Sequence, residues 1–387
     1  YTMKGSNTTA PNQNYVFYGE PNNGQYQFPI SNGEQSLLGN PYPSALDADK
    51  FITDNLSVLD ALYFWVDGGS TSHILSDYLG GYAVRNLTGG TPPSIPSSLI
   101  SGIGTAGSVT APKQFVPVAQ GFFIDAYASG NIIFNNSQRV FKTETSGESI
   151  FYSSQDASID SNKHIIIGHE DAEGFHRQLL LGFLQDSSVD MAYNRGYDAL
   201  MTEMREDDIF FIIDNDLNKK YVIQGVNRFA KTMEFPIGIS ISDSRTQKIM
   251  LDATENFSHP IYIKDNYLNT FHDLTASSFE IHLQQGEYLD RYSIVFNTDE
   301  SLSNGNAVKK RMKIYYNGLD HIIIDNIQKR KLNSIKLFNS LGQEILSLNN
   351  NQDLKNKLSI PFDKSIGVYF LVIETPFNTI TQKILIY

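Results

Sequence analysis

Short apolar runs, each stopped by Gly, Pro, Asn or Asp, recur along nearly the whole of this chain, and they constrain its fold more than any other feature. Residues 15–18, 61–66, 121–126, 165–168 and 209–213 are examples. Runs this short do not sustain the turns of an amphipathic helix, whereas they match half-buried strands. The 24 Phe and 21 Tyr residues strengthen the reading, because aromatic side chains pack well on a pleated surface. The expected fold class is therefore all-β, with a jelly-roll-like β-sandwich body. One short helix is expected over 44–55, where Ser44 can cap free N–H groups, Asp47 follows three residues on, and Leu46, Phe51 and Ile52 share a face.

The breakers also mark the organisation. Segment 86–118 holds Gly89-Gly90, Pro92-Pro93, Pro96, Gly102, Gly104, Gly107, Pro112 and Pro117, which predicts a long surface loop rather than a strand or helix. Loops of that length are often binding elements. A β-rich region over 1–145 and a second over 146–300 follow, and the two read equally well as one large sandwich with a long insertion. Residues 301–310 are polar and have the composition of a linker ahead of 311–387.

Charge divides the chain at the same place. Residues 311–387 carry ten Lys/Arg against six Asp/Glu, a net +4, while residues 1–310 carry 20 against 36, a net −16. An acidic body argues against nucleic-acid binding, which needs basic groups to displace counterions from phosphates. The absence of Cys removes disulfides, thiol nucleophiles and Cys-based zinc sites. No run of 18 or more apolar residues suggests a transmembrane helix. The chain opens at Tyr1 without a basic or apolar leader, as expected of one whose signal peptide has been removed.

From residue 312 the alternation becomes regular, over 312–316, 321–325, 334–339, 344–348, 357–360, 368–374 and 379–386. Seven strands separated by turn residues predict a small immunoglobulin-like sandwich. Within it lie Ser334-Ile335-Lys336-Leu337-Phe338-Asn339, then Leu341-Gly342-Gln343, then Gly367-Val368-Tyr369, and Lys383 in the final strand. In that order, at the end of a chain, these residues resemble the type A sorting domain of type IX secretion substrates. The resemblance implies export to the bacterial surface or medium. It also implies recognition by the type IX translocon and its outer-membrane barrel shuttle and, in many members, removal of the module with surface attachment; any cut is expected in or before 297–310. Segments 37–44, 120–123 and 134–141 are similar to parts of large surface proteins that carry this domain, which implies an adhesin-like or structural role in attachment or gliding. Singly, each motif also has a backbone explanation: Gly342 supplies a turn and Tyr369 a core ring.

Candidate chemistry is sparse. Trp65, Tyr78 and Tyr82, near the long loop, are candidates for a ligand surface, because exposed rings on a β-sandwich stack on sugar. A glycan or lipopolysaccharide is the partner this implies; carbohydrate binding is the alternative to the adhesin reading, and a glycan-active enzyme a weaker one. Asp214 and Asp216 in Asp-Asn-Asp-Leu-Asn open like a calcium loop, yet Lys219 and Gly225 stand where that loop needs Gly and Glu, so a plain turn is favoured and no cofactor is expected. Gly102-Ile103-Gly104-Thr105-Ala106-Gly107 matches a dinucleotide pattern without the strand and helix that give it meaning. His164, His169 and His176 lack metalloprotease spacing, and no Gly-x-Ser-x-Gly elbow occurs, so catalysis is not expected.

Overall fold

The computed structural model describes residues 18–69, 79–104, 107–142, 162–298, 313–317, 320–325, 332–349, 357–362, 367–374 and 379–386. Strands dominate, in six sheets, and the chain is all-β. Among the described residues the only α-helix is Ala48–Asp54, and no helix is long and apolar enough to cross a membrane. Two compact units are formed: Tyr1–Phe229 with Ile237–Ser258 and Ala276–Leu289, and Ala230–Pro236 with His259–Thr275 and Asp290–Tyr387.

The first unit contains a five-stranded sheet in the order Gln35–Gly39, Gly121–Asp125, Leu62–Asp67, Gly80–Arg85 and Gly90–Thr91. Alternation gives each strand two faces. Leu62, Phe64, Val66, Ala83, Phe122 and Ile124 turn inward, onto Phe51 and Ile52 of the helix and onto Ile132 and Phe134. The rings of Phe51 and Phe134 lie 4.7 Å apart, and Phe51 and Phe122 meet edge to face at 5.6 Å. Burying each such side chain stabilises the fold by about 1.5–3 kcal/mol.

The helix is shorter than expected and is capped by Asp47 rather than Ser44. Residues Ala45–Asp47 instead pair as a strand with Arg139–Val140 and Phe115–Val116, which buries Ala45 and Leu46. The Ser44 hydroxyl accepts from Arg139 Nε at 3.2 Å, while Asp47 Oδ1 accepts from the N–H groups of Asp49 and Lys50. Sheet pairing thus outweighs the capping signal. At the other end, buried Asn55 donates to the carbonyls of Phe51 and Ile133 and accepts from the Ile133 N–H, tying the helix to its neighbouring strand.

In the same unit a larger sheet runs through residues 237–241, Asp208–Phe211, Tyr221–Asn227, Phe175–Leu184, Lys163–Glu170, Arg245–Glu255 and Phe279–Leu283. Phe175–Leu184 pairs in parallel with Tyr221–Asn227 and antiparallel with Lys163–Glu170. It also pairs with Ile95–Pro96, so residues on either side of position 145 share one sheet. Segment 86–118 is correspondingly not a surface loop. It has only very short strands, but Thr88, Thr91, Ser94, Ile95, Ile100 and Val109 are buried. Its glycines permit this packing: a Cβ on Gly107 would come within 2.0 Å of the Ile100 carbonyl oxygen. The dinucleotide-like run is therefore a packed turn, and Thr105 and Ala106 lie outside the described residues.

In the second unit, Tyr262–Asp265 lies between Thr270–Asp273 and residues 292–295. The C-terminal sandwich of this unit has seven strands in two sheets: Lys313–Tyr316, His321–Asp325 and Lys357–Pro361 in one, and Glu344–Asn349, Ser334–Asn339, Gly367–Glu374 and Thr379–Ile386 in the other. Every strand begins and ends within one residue of its expected position. Ile322, Ile324, Ile335, Leu337, Ile360, Phe362, Tyr369, Leu371 and Ile373 fill its core.

Candidate functional site

The outward face of the five-stranded sheet carries a group of touching aromatic side chains, of which Trp65 is exposed and Tyr82 and Phe123 are half-buried. Trp65 and Tyr82 are directly opposed across adjacent strands, their rings 5.2 Å apart and inclined at 73°. Tyr82 meets Phe123 at 5.5 Å and 85°. Leu37, opposite Phe123, extends the apolar strip, and Trp65 is 45% exposed. A glycine makes room for the indole: a Cβ on Gly80 would lie 2.7 Å from Trp65 Cζ2. Among the described residues neither the Trp65 indole N–H nor the Tyr82 hydroxyl meets a hydrogen-bonding partner; residues 70–78, which join these two strands, lie outside the described residues.

The groups around these rings are acidic. Asp125 lies two residues from Phe123 on the same face, and its Oδ1 accepts from Gln35 Nε2 at 2.9 Å. Glu203 Oε1 accepts from the Tyr82 N–H at 2.7 Å and fills the space over Gly81. Burial pushes the Glu203 carboxyl up, and burial, with the charges of Glu203 and Asp125, pushes the Tyr82 phenol up. At the inner end of the strip Tyr63 is buried, and Asp60, its carboxyl also raised by burial, accepts from the Tyr193 hydroxyl at 2.9 Å. Arg195 stacks over Tyr127 at 3.5 Å. The strip is thus anchored at one end and open at the other.

Of the three aromatic residues singled out in the sequence, Trp65 and Tyr82 are brought together, while Tyr78 lies outside the described residues, as do residues 15–17 and 299–312. Phe123 and Leu37 join the site through strand register, which no local motif signals. Asp214 and Asp216 occupy a tight turn in which Asp214 and Asn215 both have positive φ. Asp214 accepts from the Tyr193 N–H, and Asp216 accepts from the Asn218 N–H and pairs with Lys219. No group of three or more metal-binding side chains occurs among the described residues.

The residues of the C-terminal motif divide by role. Asn339 closes the turn by accepting from the N–H groups of Leu341 and Gln343, with Gly342 at φ 78°. Gly367 and Val368 open a strand, and Tyr369 is buried, its ring 5.0 Å from Phe362. Leu341 is 83% exposed, and Lys383 stands opposite the partly exposed Phe370 on the outer sheet face. Leu341, Gly342, Gln343 and Lys383 are therefore the exposed members of the motif, while Tyr369 is buried.

Several buried polar groups were not legible as pairs. Arg177 binds Asp208 bidentately at 2.9 and 2.8 Å, both nearly inaccessible. His176 Nε2 and Gln178 Nε2 both lie 2.6 Å from Asp252 Oδ2. Asp252 is the extra residue of a bulge between Ile166 and Ile167, which swings its carboxylate over Gly168. His169 Nε2 meets Gln247 Oε1 at 2.7 Å, and burial lowers its pKa. His164 bridges Glu255 and the Thr88 carbonyl. Each histidine is thus engaged within the fold.

A family model described as a domain of unknown function (DUF8693) matches residues 1–296. The chain belongs to this family. The DUF8693 match spans the five-stranded sheet and the strip on its outward face, and it ends before the seven-stranded sandwich. No curated protein and no solved structure matches the chain.

Proposed function

We propose that this protein is an exported bacterial surface adhesin whose DUF8693 body attaches to carbohydrate through the Trp65 face. The observation that carries the reading is the corner of Trp65, Tyr82 and Phe123, with the exposed Trp65 indole at its open end and carboxylates at its edge. Pyranose rings present apolar C–H faces and a rim of hydroxyl donors, and such a corner offers aromatic surface and acceptors for both. A glycan array probed with the full chain is expected to give hits that Trp65→Ala removes while the melting temperature is unchanged. Hits that survive this substitution would place carbohydrate recognition elsewhere; an array without hits would remove the reading.

Export by the type IX system rests on the order of Leu341, Gly342, Gln343, Gly367, Val368, Tyr369 and Lys383 in a self-contained sandwich. We infer that the exposed Leu341-Gly342-Gln343 turn and Lys383 meet the outer-membrane shuttle, with Leu341 and Lys383 offering the largest exposed side chains of the set. Residues 309–387 fused to a reporter with a signal peptide should reach the cell surface only in cells with a working translocon. Surface display independent of the translocon would refute the assignment.

A further inference from the structure

The angles between the rings restrict what the Trp65 face can hold, and we infer that it binds one uncharged pyranose unit of a soluble glycan, excluding crystalline polysaccharide surfaces and anionic chains. The inference rests on the carbohydrate reading above and adds the class of sugar. Successive rings stand at 73° and 85°, so Trp65, Tyr82 and Phe123 form right-angled corners instead of a plane. A flat polymer face needs coplanar rings, each stacking on a separate sugar. A corner instead offers one ring face as a floor and the next ring as a wall, which suits a single sugar entering from solution.

The electrostatics set the second restriction. The Asp125 carboxylate lies on the same face as Phe123, and the charges of Asp125 and Glu203 both act on the Tyr82 phenol. Along the described part of this face, the strand Gln35–Gly39 contributes Gln35 and Leu37, and the strand Gly121–Asp125 contributes Phe123 and Asp125. No Lys or Arg side chain stands among these residues. Residues 1–310 carry a net −16, so the longer-range field has the same sign. Arg195, at the inner end of the strip, faces Asp60 and Tyr127. At the outer end, around Trp65, Tyr82 and Asp125, sulfate or uronate groups would therefore meet net negative charge, whereas sugar hydroxyls would meet acceptors.

The test uses the full chain, soluble neutral oligosaccharides, chitosan oligomers, sulfated and uronate oligosaccharides, and a microcrystalline cellulose pull-down. Binding should be confined to soluble neutral sugars, change less than about twofold between 50 and 500 mM salt, and weaken at least about tenfold in Trp65→Ala. Trp65→Phe should retain part of the affinity, and Asp125→Asn should raise relative binding of anionic oligosaccharides several-fold. Trp65-dependent binding confined to sulfated or uronate chains, to chitosan with loss at high salt, or to crystalline cellulose would overturn the sugar class and leave carbohydrate binding in place. Absence of binding to every probe would overturn both.

Discussion

Asp198 should make this protein lose stability as pH rises from about 4 to 7, against the usual behaviour of carboxylates. Its side chain is buried between two backbone donors, with Oδ2 accepting from Asn194 N–H at 2.6 Å and Oδ1 from Gly225 N–H at 2.8 Å. Burial is the largest influence and outweighs these hydrogen bonds; the charges of Asp214 and Asp190 add to it, and the carboxyl is pushed up to about 7 from an ordinary value of 3.8. Between these values the unfolded chain has released the proton and the native state still holds it. Stability therefore falls with a slope approaching about 1.4 kcal/mol per pH unit, up to a total of about 4 kcal/mol. The contribution is complete below the unfolded value and gone above the folded one. Asp60 and Glu203, also raised by burial, act in the same direction in this window, and His169, lowered by burial, acts in the opposite one. The difference between the parent and Asp198→Asn profiles therefore isolates Asp198. Denaturant unfolding at pH 4.5, 6.0 and 7.5 should show the decline in the parent. In Asp198→Asn the decline should be smaller by up to about 4 kcal/mol, with a pH-independent cost of about 1–3 kcal/mol from the amide facing a backbone N–H. Parallel pH profiles for parent and variant would refute the assignment of the titration to Asp198.

Arg177→Met should cost about 3–5 kcal/mol by stranding the buried Asp208 carboxylate, lowering the melting temperature by about 10 °C, and adding Asp208→Leu should recover most of it. Double-mutant thermal melts check this, and equal losses in single and double variants would count against it. Gly80→Ala should both weaken sugar binding and lower the melting temperature, because its Cβ would lie 2.5 Å from the Val66 carbonyl oxygen and 2.7 Å from Trp65 Cζ2. Titration calorimetry with thermal melts checks this, and unchanged values would contradict it. Gly342→Ala should destabilise the C-terminal sandwich by about 1 kcal/mol, because φ of 78° is unfavourable for Ala although its methyl would meet no atom within 4 Å. Denaturant unfolding of the full chain measures this, and an unchanged midpoint would contradict it.

The seven C-terminal strands were legible because each is a local alternating run ended by turn residues, so neighbours hardly influence their limits. The helix start was misplaced because residues 45–47 obey a sheet pairing with residues 115–116 and 139–140, far off in sequence. Breakers in 86–118 indicated broken backbone but not burial, since the same glycines that interrupt strands allow close approach to the core. Trp65 and Tyr82 could be picked out as aromatic residues near a long loop. Phe123, Asp125 and Glu203 join them only through register and side-chain reach, and pairs such as Arg177 with Asp208 are defined by neighbouring strands rather than by a motif.

The pairing of Ile95–Pro96 with Phe175–Leu184 also dictates when the molecule can fold. Thr88 and its surroundings are synthesised early, yet the groups that cover them come late: His164 at a separation of 76 residues and Tyr197 at 109. Until the chain has emerged past the strand Tyr221–Asn227, Ile95 and Thr88 face solvent beside unpaired strand edges. Contacts this distant slow folding and lengthen exposure to aggregation. A fragment cut near residue 145 should therefore be insoluble when expressed alone, whereas one carried through residue 296 contains the strands that close over the early segment.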